Sequence, residues 1–596
     1  MPRDARPIDG PALEEHAAIG DGRTVALIDR SGRIDWLPLP GLDSAPVFAA
    51  LLDEESGGSI ELAPVGEAEM SRRYIPGTNV LQTTWTTAKG KVRVTDALVI
   101  GIAGRLPWAE LARGIEGLEG SVTMQWRVAP GSMLRTRSPW IETEGDSAII
   151  RVGDLSMGVT IESLGRPRQR SSDSGPSIGG RFRTSEGSVH TLVVAATEGE
   201  PLHLPQPGNV RRGIQRTTDA WKTWSKEFAY DGPWRAEVQR SALALKLLIH
   251  SPTGAIAAAA TTSLPEGPLG SKNWDYRFAW VRDLAYTTHS LVQFGLREET
   301  HAALSWLLRT IKKHGPSIEI FYTLEGDTPG AVTKYESPGW RGIGPVVTGN
   351  PASDQLQLGV YGDLFGIVRS YLVEGNVLDS ETGRFLADVA DRVCDEWQRR
   401  DAGMWELEDQ QHYTSSKMGC WQALDAAIWL AEHGHIVDRS ARWRTERERV
   451  RDWIDQNCWS EEKGAYVMHP DTDDLDASVM LHAPSGFDRS ERMASTLDAI
   501  RGELAVGNRV YRFSGVEQEE HTFVACGFWL AAALACVGRT DEATVQMDAM
   551  VADANDLGLY SEMIAADDGA FWGNFPQALS HLALIDAAIV IREMRS

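Results

Sequence analysis

Three segments of this chain carry side chains suited to acid–base chemistry. In Gly403-Met404-Trp405-Glu406-Leu407-Glu408 the indole beside Glu406 offers an apolar wall that can raise its pKa. That property is required of an acid that protonates a leaving glycosidic oxygen. Glu408 would face the same way in an extended chain, and repulsion between the two carboxylates would raise one of them further. The polar run His412-Tyr413-Thr414-Ser415-Ser416-Lys417 follows at once. Glu562, in Leu559-Tyr560-Ser561-Glu562-Met563, precedes a helix opened by Pro576. A carboxylate there can hold a water against the opposite face of a sugar ring, or it can be an ordinary solvated acid. The third segment, Asn273-Trp274-Asp275-Tyr276-Arg277-Phe278-Ala279-Trp280-Val281-Arg282-Asp283, opens a helix. Asp283 can accept from hydroxyls while Arg282 donates a planar fork, or the two can serve as a capping carboxylate and a surface ion pair.

Such groups need a rigid frame. From about residue 15 to 205 the chain is written in short β-type segments between turn signals, among them Thr24 to Ile28, Val80 to Thr87, Val92 to Val99, Ser121 to Val128, Ser147 to Val152 and Val189 to Ala195. This texture predicts an antiparallel sandwich. Arg166 to Gly180, rich in Ser, Gly, Arg and Pro, reads as a long mobile surface loop. Beyond Pro205 the apolar spacing turns helical and predicts eleven helices between Trp234 and Arg592, packed pair against pair in a closed array. The connectors at 313–354, 400–420 and 555–576 are long and full of Gly, Trp, Tyr, Asp and Glu. Long connectors on a helical frame are where a site would be built.

Composition narrows the partners. With 59 basic against 83 acidic residues the net charge is −24, a field that repels phosphate backbones and anionic lipid and tolerates neutral ligands. Nucleic acid and membrane are therefore not expected partners. Met1 to Pro7 lacks the apolar stretch of a secretory signal, and no apolar run reaches 18 residues. Phe523 to Val537, interrupted by Gly527, reads instead as a helix buried on all sides. Cys394, Cys420, Cys458, Cys526 and Cys536 show no metal-ligand spacing and read as buried free thiols, which fits a reducing cytoplasm.

The strings N-W-D-Y-R-F-A-W-V-R-D, W-E followed by H-Y-T-S-S-K and C-W-Q-A-L-D, L-D-A-S at Leu475 to Ser478, and G-N-F-P-Q-A-L-S-H together resemble the family-15 glycoside hydrolases, a family of glucoamylases, glucodextranases and prokaryotic trehalases. The likeness reaches the N-terminal part through I-G-D-G-R-T at Ile19 to Thr24 and I-D-W-L at Ile34 to Leu37, so it covers nearly the whole chain. It implies a β-sandwich domain over 1–205, a helical linker over 206–235 and an (α/α)6 barrel over 236–596, with the site at the barrel mouth. It implies Glu406 as general acid and Glu562 as general base of an inverting hydrolysis that releases β-glucose and needs neither metal nor organic cofactor. Arg282 and Asp283 would grip the terminal glucose, and Trp274, Trp340, Arg341 and Trp405 would line its pocket, with His412, Lys417 and Glu408 as further contacts.

Glu408 stands where the prokaryotic relatives usually carry Arg, and Gly359 and Ala426 where Asp and Arg are common. Exchanging a guanidinium for a carboxylate changes which hydroxyls can be bound. The expected substrate is a small α-glucoside, trehalose first and isomaltose or maltose second. A phosphorylase would not need Glu562, and a carbohydrate-binding protein without catalysis would not need both carboxylates. A homo-oligomer is expected from size and class alone.

Overall fold

The computed structural model describes residues 11–101, 106–145, 147–172, 174–315 and 317–595. Met1 to Pro7, read above for the lack of a secretory signal, lie outside them. In Leu81–Thr87 every second side chain (Leu81, Thr83, Trp85) is buried, the signature of a strand with one wet face. Strands of this kind assemble into two antiparallel sheets of eight strands each. The first runs Ala17–Gly20, Val25–Ile28, Ile34–Pro38, Gly58–Pro64, Thr123–Pro130, Gly175–Arg183, Arg168–Ser172, with Pro46–Phe48 beside Ile34–Pro38. The second runs Trp140–Glu144, Ser147–Val152, Leu155–Glu162, Val189–Glu198, Ala109–Gly120, Gly90–Leu98, Leu81–Thr87, Glu69–Tyr74. Ile60, Leu62 and Trp126 of the first share one apolar cluster with Val94, Leu111 and Val194 of the second.

The segment expected to be a surface loop, Arg166 to Gly180, instead supplies an edge hairpin: Arg168 pairs with Gly179 and Ser172 with Gly175. All five side chains of Arg168–Ser172 are exposed, so backbone pairing holds a strand that has no apolar face to announce it.

Helix α1 (Pro207–Glu227) packs Val210 and Ile214 against Ala112 and Val193 of the second sheet and against Val99, just past the strand Gly90–Leu98. The helical part follows: α2 (Arg235–Leu248), α3 (Val281–Gln293), α4 (Arg297–His314), α5 (Val360–Val373), α6 (Ser380–Glu396), α7 (Thr414–Glu432), α8 (Ser440–Asn457), α9 (Glu491–Leu504), α10 (Val524–Cys536), α11 (Thr540–Ala552) and α12 (Ala578–Arg595). Thr414-Ser415-Ser416, part of the polar run that follows Glu406 along the chain, form the first turn of α7 rather than a loop.

Inner elements touch in sequence: α3 with α5, α5 with α7, α7 with a 3-10 turn at Ala477–His482, that turn with α10, α10 with α12, and α12 with α3. α5 and α7 come close where glycines meet, since a Cβ at Gly362 would lie 2.8 Å from the Gly419 carbonyl oxygen. The remaining helices flank this ring. α10 is buried at every position, as its unbroken apolar run requires, whereas α8 buries only Ser440, Trp443, Val450 and Ile454. All five cysteines are free and buried. Among the described residues no helix is long and apolar enough to cross a membrane.

Candidate active site

At the N-terminal ends of the inner helices lies a cavity of about 550 Å³, walled by 258–283, 351–355, 404–408, 512–523 and 562–579. The stretch before α3, with the first turn of that helix, supplies one wall. Trp274, Tyr276, Trp280 and Arg282 line the cavity. Asp275 and Arg277 turn away and bond to each other, Nε to Oδ1 and Nη2 to Oδ2, both at 2.9 Å.

Glu406 is held from several sides. Its backbone takes the left-handed conformation, φ 60°, which costs an ordinary residue about 1–2 kcal/mol. Trp280 Nε1 donates to its carboxylate at 2.9 Å, and Gln355 donates to its carbonyl at 3.1 Å. Arg282 ties the same loop to α3 by donating to the Met404 carbonyl at 3.0 Å. Trp405 anchors its indole on Asp476 Oδ1 at 2.8 Å, and its ring meets Phe523 edge-on.

Glu562 is 1% exposed. Its Oε2 accepts from the Asn574 amide at 3.2 Å, and a Cβ at Gly573, where φ is +72°, would sit 2.6 Å from that oxygen. Glycine is thus required beside it. Asn574 is itself pinned, donating to the Trp274 carbonyl at 3.1 Å and accepting from Thr261 at 2.9 Å. The Tyr276 hydroxyl bonds Glu266 at 3.3 Å and also steadies the Glu562 carboxylate.

Electrostatics follow from this enclosure. Burial raises the pKa of Glu406, while Arg282, the Trp280 hydrogen bond and Arg512 pull it back. Burial and then the charge of Glu266 push Glu562 well above the usual carboxylate range, opposed by Arg512, Tyr276 and Asn574. Arg512 is clamped by Glu520 and by Glu266, the latter at 2.7 Å, and Lys272 meets Glu520 at 2.7 Å. Arg282 and Asp283 touch at 3.3 Å, yet Arg282 Nε and Asp283 Oδ2 are buried without a hydrogen-bond partner. Two carboxyl groups in one cavity, each steadied by donors, can give up a proton on one side and activate a water on the other.

Of the residues expected from the sequence, Glu406, Glu562, Trp274, Arg282, Asp283, Trp405 and Glu408 all line this cavity. Four do not. Trp340 packs edge-on against Trp572, with the Arg341 guanidinium 4.3 Å over its ring. Lys417 is buried inside α7, donates to the Arg399 carbonyl and does not line the cavity. His412 packs on Trp453, outside the cavity. Tyr276 and Trp280 lie within the motif that opens α3, whereas Glu266, Gln355 and Arg512 arrive from segments with no motif. A second cavity, of about 380 Å³, lies inside the ring; Arg282 and Met404 line both cavities, but neither Glu406 nor Glu562 lines this one. Among the described residues no group of three His, Cys, Asp or Glu is placed to hold a metal ion.

Comparison with known proteins agrees with this picture. Residues 232–589 match the family described as glycosyl hydrolases family 15, and residues 7–127 match a trehalase-like N-terminal family. A trehalase of Thermoplasma volcanium is 30% identical, with 98% of this chain and 94% of that protein aligned. Trehalases of Mycolicibacterium smegmatis and Mycobacterium tuberculosis are each 31% identical, with 98% of this chain and 92% and 90% of theirs. Among solved structures, a bacterial glucoamylase complexed with acarbose superposes with a TM-score of 0.74 over 98% of this chain and 96% of its own, at 13% identity, a likeness of fold.

Proposed function

The chain belongs to glycosyl hydrolase family 15, and from that premise we propose that it hydrolyses α,α-trehalose to glucose with inversion at the attacked carbon. The observation that carries this reading is the pair Glu406 and Glu562 in one cavity, each fixed by its own donors. Glu406, raised by burial, protonates the leaving oxygen. Glu562, whose anion Arg512, Tyr276 and Asn574 support, takes a proton from the attacking water. A single displacement then yields β-glucose from the attacked ring, and inversion calls for carboxyls roughly 6.5–9.5 Å apart. Arg282 and Asp283, both on the cavity wall, bind hydroxyls of the terminal glucose. The relatives named above are trehalases over nearly their whole length, which supports trehalose as substrate.

The ring of inner elements is read as an (α/α)6 barrel in which the 3-10 turn Ala477–His482 stands for one inner helix. The sheets form a sandwich, with divisions at about residues 205 and 235. Five buried free thiols suit the cytoplasm.

An exo-acting α-glucosidase of isomaltose or maltose is the second reading, favoured by Glu408, an exposed carboxylate on the cavity wall. Proton NMR of trehalose, isomaltose and maltose digests in the first minutes separates the two. From trehalose the β-anomer of the attacked ring and the α-anomer of the leaving ring should appear in equal initial amounts, and release should be fastest from this sugar; α-glucose alone at the start, or no release, would sink the mechanism.

A further inference from the structure

His412 was singled out in the sequence beside the acidic loop, yet it lines a different hollow. This pocket, of about 480 Å³, is lined by Trp397, Gln398, His412, Arg449, Asp452, Trp453 and Gln456. It shares no lining residue with the catalytic cavity. We propose that it is a second saccharide site, which takes a neutral glucose-based sugar and is independent of catalysis.

Three properties point to that ligand. Trp453 is half-buried, with Trp397 edge-on at 6.3 Å and His412 tilted against it at 5.4 Å. An aromatic face bounded by an upright ring offers the apolar CH side of a pyranose a floor and a wall. Around it stand two amides, Gln398 and Gln456, and the Asp452 carboxylate, which together donate and accept as a ring of vicinal hydroxyls requires. The charge is wrong for an anion: Arg449 is already paired with Glu446 at 2.7 Å, Asp452 adds a negative group, and the whole chain carries −24. A neutral polyol fits where a phosphate would not. The volume also lies within the range of small-molecule sites, roughly 300–1,000 Å³.

The location gives the site a second meaning. Trp397 is the C-cap of α6, and Gln398 and His412 stand at the two ends of the loop that carries Glu406. That loop is closed at its base by reciprocal backbone bonds between Asp401 and Gln411, both 2.9 Å. A sugar in the pocket would touch both feet of the loop and one face of α8.

Isothermal titration with trehalose, and separately with maltose, tests this in the Glu406→Gln protein, which binds without turnover. Two classes of site are expected for at least one sugar, and one class once Trp453→Ala is added. Gln456→Ala, at an exposed position, should weaken the second site by roughly 5- to 10-fold, as expected for one lost hydrogen bond, and Trp453→Phe should preserve it. If Trp453→Ala fails to fold, Gln456→Ala and Asp452→Ala carry the test. A single class of site that vanishes with Trp453→Ala would support this proposal while removing both sugars from the catalytic cavity. Isotherms unchanged by all of these substitutions, or no binding that depends on them, would overturn it.

Discussion

Two Asp/Arg pairs lie within eleven residues of each other before and at the start of α3, and they are built to opposite ends. Arg277 engages Asp275 with two nitrogens and spends a third on the carbonyls of Leu42 and Ser44, at 3.3 and 2.7 Å, while Asp275 also accepts from the amides of Arg277 and Gly349. Every bond is internal, and the pair rivets the helical part to the first sheet's loops. Arg282 and Asp283 are buried as well, but their Nε and Oδ2 face each other at 3.3 Å as an ion pair without hydrogen-bond geometry, and both residues line the cavity. Burying such groups is costly unless something bonds them. The difference separates a pair whose bonds are all internal from a pair that faces the cavity.

The largest effect should come from the carboxyls that share the cavity with the second pair. Glu406→Gln or Glu562→Gln should lower kcat by about 10²- to 10⁴-fold, the usual share of general acid–base catalysis, with the melting temperature held. Steady-state rates and a thermal scan decide it, and near-normal turnover in either variant removes that residue from the mechanism. Next, Arg277→Met should cost about 3–5 kcal/mol of stability by stranding a buried carboxylate. Denaturant unfolding measures this, and an unchanged midpoint would erase the contrast between the pairs. Asp283→Asn should do the reverse: kcat/KM falls by roughly 10- to 150-fold, the worth of a charged hydrogen bond of about 1.5–3 kcal/mol, while unfolding barely moves. Were Asp283→Asn to destabilise as Arg277→Met does, both pairs would be structural.

The smallest effect is on pH dependence. Burial first and Glu266 second raise Glu562, so its active anion is lost at a higher pH than an ordinary glutamate's as the solution is acidified. Glu266→Gln removes the second cause. The acid limb of the kcat/KM profile should then move to lower pH, and a limb that stays put or moves upward would separate Glu266 from the base.

Much of this was legible in the chain. The strand-then-helix order could be read because alternation in Leu81–Thr87 and an all-apolar run in Val524–Cys536 are direct images of one wet face and none. Arg168–Ser172 was hidden because an exposed edge strand is held by backbone bonds that leave no trace in side-chain types. In the site, Glu406 and Glu562 could be found from their neighbours, but Arg512 and Glu266 are joined across 246 positions and signal nothing locally. His412 and Lys417 misled for the opposite reason: nearness to Glu406 along the chain is undone when Lys417 turns inward within α7 and His412 lies at the foot of the loop.

The left-handed backbone at Glu406 has a consequence for how such a protein ages under selection. Glycine occupies that conformation without penalty, so Glu406→Gly would relieve strain at the moment it removes the proposed acid. A lineage screened only for heat resistance would therefore be free to drift toward an inert chain at this codon, and only continued demand for the sugar keeps the more uncomfortable residue in place.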